Sequence, residues 1–216
     1  YLFYFLQFLF ELHYSFLLHA SFALKSDRNH ITNSKANEVI LNAAAELMVQ
    51  AAIKVGRRKT ANYDIVKMLI PTDNKLPKTL SGTAGSVADF KRMIFDAVKK
   101  SGQPILPNVN DKYIIFEPHK TLRYYNGLSK YVKGREFNKL LKHFEKGSNV
   151  DQFIKEFTDE HYIYKYDSIV PMVEKWVKRQ DLKTDNEENN KEKIRNIIKT
   201  ALCLFDEYKK KYYDNK

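Results

Sequence analysis

The chain predicts a mainly α-helical fold, an irregular bundle of about seven or eight helices. Three observations carry this reading. Gly and Pro are scarce, 7 and 6 in 216 residues, so few positions break a helix. Most of the chain after residue 33 repeats apolar residues at helical spacing. Strand chemistry is confined to "KYIIF" at 112–116 and "HYIYKY" at 161–166, which are expected to pair as one short two-stranded element.

The opening stretch, "YLFYFLQFLFELHYSFLLHASFAL", contains no Lys or Arg and a single acid, Glu11. It is read as an N-terminal apolar segment, 1–23, acting as a signal peptide. Small residues at Ala20, Ser21 and Ala23 offer a cleavage point after Ala20 or Ala23, and polar sequence follows at once. Two alternatives stand beside it. A buried helix would use the polar seam Gln7, Glu11, Ser15 and His19. A membrane anchor would have to hold Glu11 in the bilayer, at a cost of about 2.5–3.5 kcal/mol.

Residues 24–216 are read as one helical domain. Ser34 caps a first helix that runs to Val55, with Val39, Ile40, Ala43, Ala44, Leu47, Met48, Ala51 and Val55 as its core face and Gly56 as its stop. "ANYDIVKMLI" makes a short helix that ends before Pro71, and "PTDNKLPKTLSGTAG" is the longest loop. Ser86 caps the next helix with Asp89 at the capping-box position. Val87, Phe90, Met93, Ile94, Ala97 and Val98 turn inward, and Gly102 and Pro104 end it.

"HKTLRYYNGLSKYVKG" is less regular. "REFNKLLKHFEKG" then places Phe137, Leu140, Leu141 and Phe144 at i, i+3, i+4 and i+7, and "SNVDQFIKEFTDE" repeats the spacing with Val150, Phe153, Ile154 and Phe157. These two are expected to pair as antiparallel helices across Gly147 and Ser148. "SIVPMVEKWVKRQ" carries Trp176, with Pro171 in its first turn. The last helix starts near Glu187 and buries a stripe of Ile194, Ile197, Ile198, Ala201, Phe205, Tyr208 and Tyr212.

Charge is uneven along the chain. Residues 52–147 carry 20 Lys/Arg against 8 Asp/Glu, so the formal excess of +11 for the whole chain belongs to its middle. Such a segment fits an acidic protein surface, an anionic membrane or nucleic acid. Arg57, Arg58 and Lys59 stand together in "VGRRKTANY". Arg123, Tyr124, Tyr125, Lys130 and Lys133 interleave cations with rings that can stack on bases. These eight residues are the candidate contacts for an anion or nucleic acid.

No motif points to catalysis, a cofactor or a metal. The six histidines form no H-E-x-x-H or H-x-H pair. Cys203 is the single cysteine, which excludes an internal disulfide and a cysteine-based zinc site. "SGTAGS" at 81–86 lacks the P-loop lysine. The function expected is that of a secreted, non-enzymatic helical binding protein that takes an apolar ligand or a partner protein. An intracellular nucleic-acid-binding or ribonucleoprotein component is the alternative.

Overall fold

The structure, a computed structural model, describes residues 22, 23, 26, 32, 34–70, 84–115, 127–158, 166–180 and 187–213, without the side chains of 84–89, 158, 166, 168, 211 and 212. Among the described residues it is mainly α-helical, with six α-helices and one two-stranded antiparallel sheet. The opening segment 1–21 lies outside the described residues, as do Arg123, Tyr124 and Tyr125. The chain divides into two compact units. One holds the first three helices, and the other holds residues 58–63 and the described residues from Pro104 onward.

In the first unit, α1 spans Lys35–Gly56. Ser34 caps it as expected, its hydroxyl accepting from the Asn37 amide at 3.3 Å. The buried face is Leu41, Ala44, Ala45, Met48, Val49 and Ala52, which is the expected face turned by one residue. Val39, Leu47 and Val55 point to solvent instead, at 61%, 65% and 56% exposure. The cause lies in the composition of α1, whose polar residues Glu38, Asn42, Glu46, Gln50 and Lys54 keep to one side and leave an apolar arc wider than one core face. It is the one described helix long and apolar enough to cross a membrane. Periodicity therefore does not single out a face, and the alanine-lined side packs on α2 and α3.

Gly56 is the last residue of the helix and not a left-handed stop. A Cβ there would stand 2.9 Å from the amide nitrogen of Ile65, which is fully buried in α2 (Asp64–Met68). The position needs a glycine for space, so that α2 can cross. α3 spans Ala84–Ser101 and begins two residues before Ser86, which displaces the expected cap at Ser86 and Asp89 into the helix. Phe90, Ile94, Ala97 and Val98 are buried as expected, and Gly102 ends the helix with φ +58°.

In the second unit a hairpin joins β1 (Leu106–Pro107) to β2 (Tyr113–Ile114), with Leu106 opposite Ile114. The two-stranded element exists, but the described partner of 113–114 is 106–107. Residues 161–165 lie outside the described residues. The expected helix over 135–146 is not formed. Arg135–Phe137 make a single 3₁₀ turn, Asn138 and Lys139 continue as a turn, and the chain then lies extended against the hairpin at Leu140 and Leu141. Leu140 O accepts from the Val109 amide at 3.0 Å, and the Lys142 amide donates to Pro107 O at 2.9 Å. Those groups are engaged across the fold and are not available to a helix ladder. The antiparallel helix pair across Gly147 therefore does not exist.

α4 (Asn149–Thr158) does form, with Val150, Phe153, Ile154 and Phe157 buried as expected. Ser148 accepts from the Asp151 amide at 3.2 Å, and the buried Asp151 carboxylate accepts from the Gly147 amide at 2.8 Å. α5 spans Tyr166–Lys178, two residues longer at its start than expected, so Pro171 sits in its second turn. Ile169, Val173 and Trp176 of α5 join Val109, Leu128, Val132, Phe137 and Leu140 in the core, where Phe137 meets Trp176 edge-on at 6.1 Å. α6 spans Glu187–Tyr212 and packs on α5 and on the 3₁₀ turn Leu128–Lys130. Its inner side is Ile197, Thr200, Cys203 and Leu204. Most of the expected stripe faces outward: Ile194, Ile198 and Phe205 are 45%, 54% and 62% exposed.

Gly56→Ala should destabilise the chain by about 1–3 kcal/mol, because backbone atoms of Ile65 must move to admit one methyl group. The shift of the urea unfolding midpoint measures this. An unchanged midpoint would mean that α2 does not cross at Gly56.

Candidate functional site

The densest polar construction among the described residues is built on the hairpin turn. The loop Val109–Asp111 contains three residues, and Asp111 takes φ +61°, a conformation that Asp and Asn tolerate better than most side chains. Asn108, almost fully buried, closes the turn. Its side-chain Oδ1 accepts from the backbone amides of Asn110 and Lys112, both at 3.0 Å, and its Nδ2 donates to Asn138 O at 2.8 Å. The Asn110 side chain exchanges two bonds with the Gly134 backbone, 2.7 and 2.8 Å, and donates to Asn138 Oδ1 at 2.7 Å.

This geometry aims Asp111 at two ammonium groups. Lys142 Nζ lies 2.6 Å from one carboxylate oxygen and Lys133 Nζ lies 2.8 Å from the other. These two charge-assisted bonds, Lys133 first, hold the Asp111 carboxyl below the usual carboxylate range. Lys142 also donates to Ala61 O at 3.1 Å, while the Ala61 amide donates to Asp111 O at 3.0 Å. Segments 58–63, 108–113, 133–134 and 138–142 thus meet at one carboxylate.

Gly134 connects this cluster to a second one. Its φ of +143° excludes most side chains, and an added Cβ would meet Glu136 Oε2 at 2.9 Å and Trp176 Cδ1 at 3.3 Å. Beyond it lies an open groove of ≈ 330 Å³ lined by Arg135, Glu136, Met172, Lys175 and Arg179. Glu136 is nearly buried and pairs with the Arg179 guanidinium, with Arg135 Nε 3.9 Å away. Three cations and one carboxylate therefore line the groove, which keeps a surplus of positive charge.

The eight predicted contacts are distributed differently. Arg57, Arg58 and Lys59 are exposed, and the Arg58 amide donates to the Tyr113 hydroxyl at 3.3 Å. Lys130 is exposed in its 3₁₀ turn. Near it, burial first and the Lys130 charge second push His143 below its ordinary value. Lys133 has its charge engaged by Asp111. Arg123, Tyr124 and Tyr125 lie outside the described residues. Sequence reasoning missed Asp111, Lys142, Glu136, Lys175 and Arg179. "NVND" at 108–111 carries a turn signal that could have drawn attention to Asp111. Nothing local connects Arg135 with Arg179.

The chemistry open to these groups is limited. Asp111 is held ionised and is a weak base. The Cys203 thiol is pushed up by burial first and by the Asp206 and Glu207 carboxylates after that, which disfavours the thiolate at neutral pH. No group of three or more His, Cys, Asp or Glu among the described residues is placed to hold a metal ion. No protein-family model matches this chain, and no curated protein or solved structure matches it either.

Asp111→Asn isolates the charge, because Asn tolerates the same backbone conformation. At pH 7 it should lower stability by about 1 kcal/mol, as expected for exposed-to-intermediate ion pairs. The folded-state pKa is lowered, so the contribution of Asp111 is complete above the ordinary carboxylate value. It is lost as pH falls below about 4 towards the folded value. Urea titrations of both proteins at several pH values should therefore converge in acid. A constant difference would mean that the two lysines do not hold the carboxylate.

Proposed function

We propose that this chain acts by binding rather than catalysis, and that it engages an acidic partner protein through the basic groove of its second unit. The surplus charge around Arg135, Lys175 and Arg179 is the observation that carries the reading. Arg179 serves the buried Glu136, while Arg135 and Lys175 are exposed and can meet a partner's carboxylates. Met172 supplies an apolar patch in the same groove, and such a mixture of charge and apolar surface suits a protein surface. The state of Asp111 and Cys203 supports the non-enzymatic part, since neither is poised for proton transfer or nucleophilic attack at neutral pH.

The chain is further proposed to be secreted, with the opening apolar segment as its export signal. Ala23 supports a cut after Ala20 over one after Ala23. Its amide donates to Asn37 Oδ1 at 2.8 Å, and its carbonyl accepts from Asn37 Nδ2 at 2.8 Å. Asn37 is buried at the start of α1; removal of Ala23 would cost it both of these bonds and leave its Oδ1 without the Ala23 amide. The mature chain should then begin at Ser21, as read by N-terminal sequencing of native protein. Soluble native protein that still carries Phe3–Phe10 would sink the export reading.

The partner reading is tested with poly-glutamate and a single-stranded oligonucleotide as probes, titrated across salt concentrations. Poly-glutamate should bind with salt-sensitive affinity, and the Arg135→Glu/Lys175→Glu double variant should lose roughly tenfold or more. Equal binding by the double variant removes the groove from the function. Oligonucleotide binding that exceeds poly-glutamate binding and falls steeply with salt would install the nucleic-acid reading in its place.

A further inference from the structure

The outward side of α6 carries Ile194, Ile198, Leu202 and Phe205, all between 45% and 62% exposed. The inner side, built around Thr200 and Cys203, is the less apolar of the two. A helix that turns its better apolar stripe to water is expected to meet another surface there. We propose that the surface is α6 of a second copy of this chain, packed antiparallel.

Two features select this occupant. The stripe alternates three- and four-residue steps through Ile194, Ile198, Ala201 and Phe205, the spacing of a two-helix seam. It is also centred on the helix, since Ile194 lies seven residues from Glu187 and Phe205 lies seven residues from Tyr212. Antiparallel copies in one register therefore stack Ile194 on Phe205 and Ile198 on Ala201, each twice by the two-fold axis. The second feature is charge. The helix begins with Glu187 and Glu188 and ends with Lys209, Lys210 and Lys211. The same register brings Glu188 of one copy beside Lys209 of the other, on the flank of the seam, and sets the two helix dipoles head to tail. A parallel pair would leave Glu188 and Lys209 at opposite ends of the seam, out of reach of each other.

The seam is about three turns long, which makes a small interface, and the dimer is expected to have Kd in the range of about 1–100 μM. Sedimentation equilibrium of the full 216-residue chain reads it. Phe205→Asp should weaken association at least tenfold and leave the thermal midpoint unchanged, because the residue is already exposed. Glu188→Lys and Lys209→Glu should each weaken it, and the double exchange should restore it, which only the antiparallel arrangement explains. A chain that stays monomeric at about 100 μM overturns the proposal. So does association that survives Phe205→Asp, which would move the contact elsewhere, the apolar opening segment included. Loss in Phe205→Asp without rescue by the double exchange overturns the antiparallel seam.

Discussion

Buried asparagine side chains hold the places where this chain leaves regular secondary structure. A backbone amide or carbonyl in a non-helical segment must find a partner once water is excluded. Asn108 solves that problem for the second unit. Its side-chain carbonyl closes the hairpin turn, and its amide holds the turn at Asn138 from which a short extended strand leaves. That strand carries Leu140 and Leu141 into the core and places Lys142 beside Asp111. Asn37 does the same on a smaller scale in the first unit, where its amide group donates to Ala23 O and to Thr32 O. An uncharged amide suits both positions. It both donates and accepts, and it can be buried at far lower cost than a carboxylate.

Packing against these polar anchors decides which apolar faces are used. α1 offers an apolar arc wider than the core it meets, and the side with Ala44, Ala45, Ala52 and Gly56 goes inward because small residues let α2 and α3 approach closely. Gly56 shows the limit of that approach, with the Ile65 backbone against it. α6 shows a related effect. Ile197 and Leu204 fit the core beside Leu128, and this leaves Ile194, Ile198, Leu202 and Phe205 outside. In both helices the apolar residues outnumber the core positions open to them, and the fit of shapes decides which are buried.

The excess positive charge of the middle segment is likewise shaped by the fold. Part of it is engaged locally, where Asp111 holds Lys133 and Lys142, and the Glu136 of the same segment is taken by Arg179. The pairing lowers the field that the sequence alone implies around Lys133. It leaves Arg135 and Lys175 as the exposed cations of the groove. A charge count along the chain therefore overstates the basic surface at the hairpin. It also misses the groove, which needs Lys175 of α5 and Arg179 just after that helix, both outside the basic segment.

By itself the sequence determined where most helices lie. Ser34 as a cap, Gly102 and Pro104 as an end, the Val150–Phe157 stripe and the start of the last helix at Glu187 were all legible. Capping and the i→i−4 ladder depend only on neighbours within a turn, so local residues suffice. Other features were decided by tertiary structure alone. The Phe137, Leu140, Leu141 spacing reads as a helix, yet the hairpin takes Leu140 O and the Lys142 amide and draws the segment into an extended path. Which side of α1 or α6 is buried depends on the shape of surfaces far away in the chain. The joining of Asp111 to Lys133 and Lys142, and of Glu136 to Arg179, depends on loops brought together by burial of the core between them. Local chemistry sets the elements, and the non-local demand that every buried polar group be satisfied and every core position be filled sets how they are used.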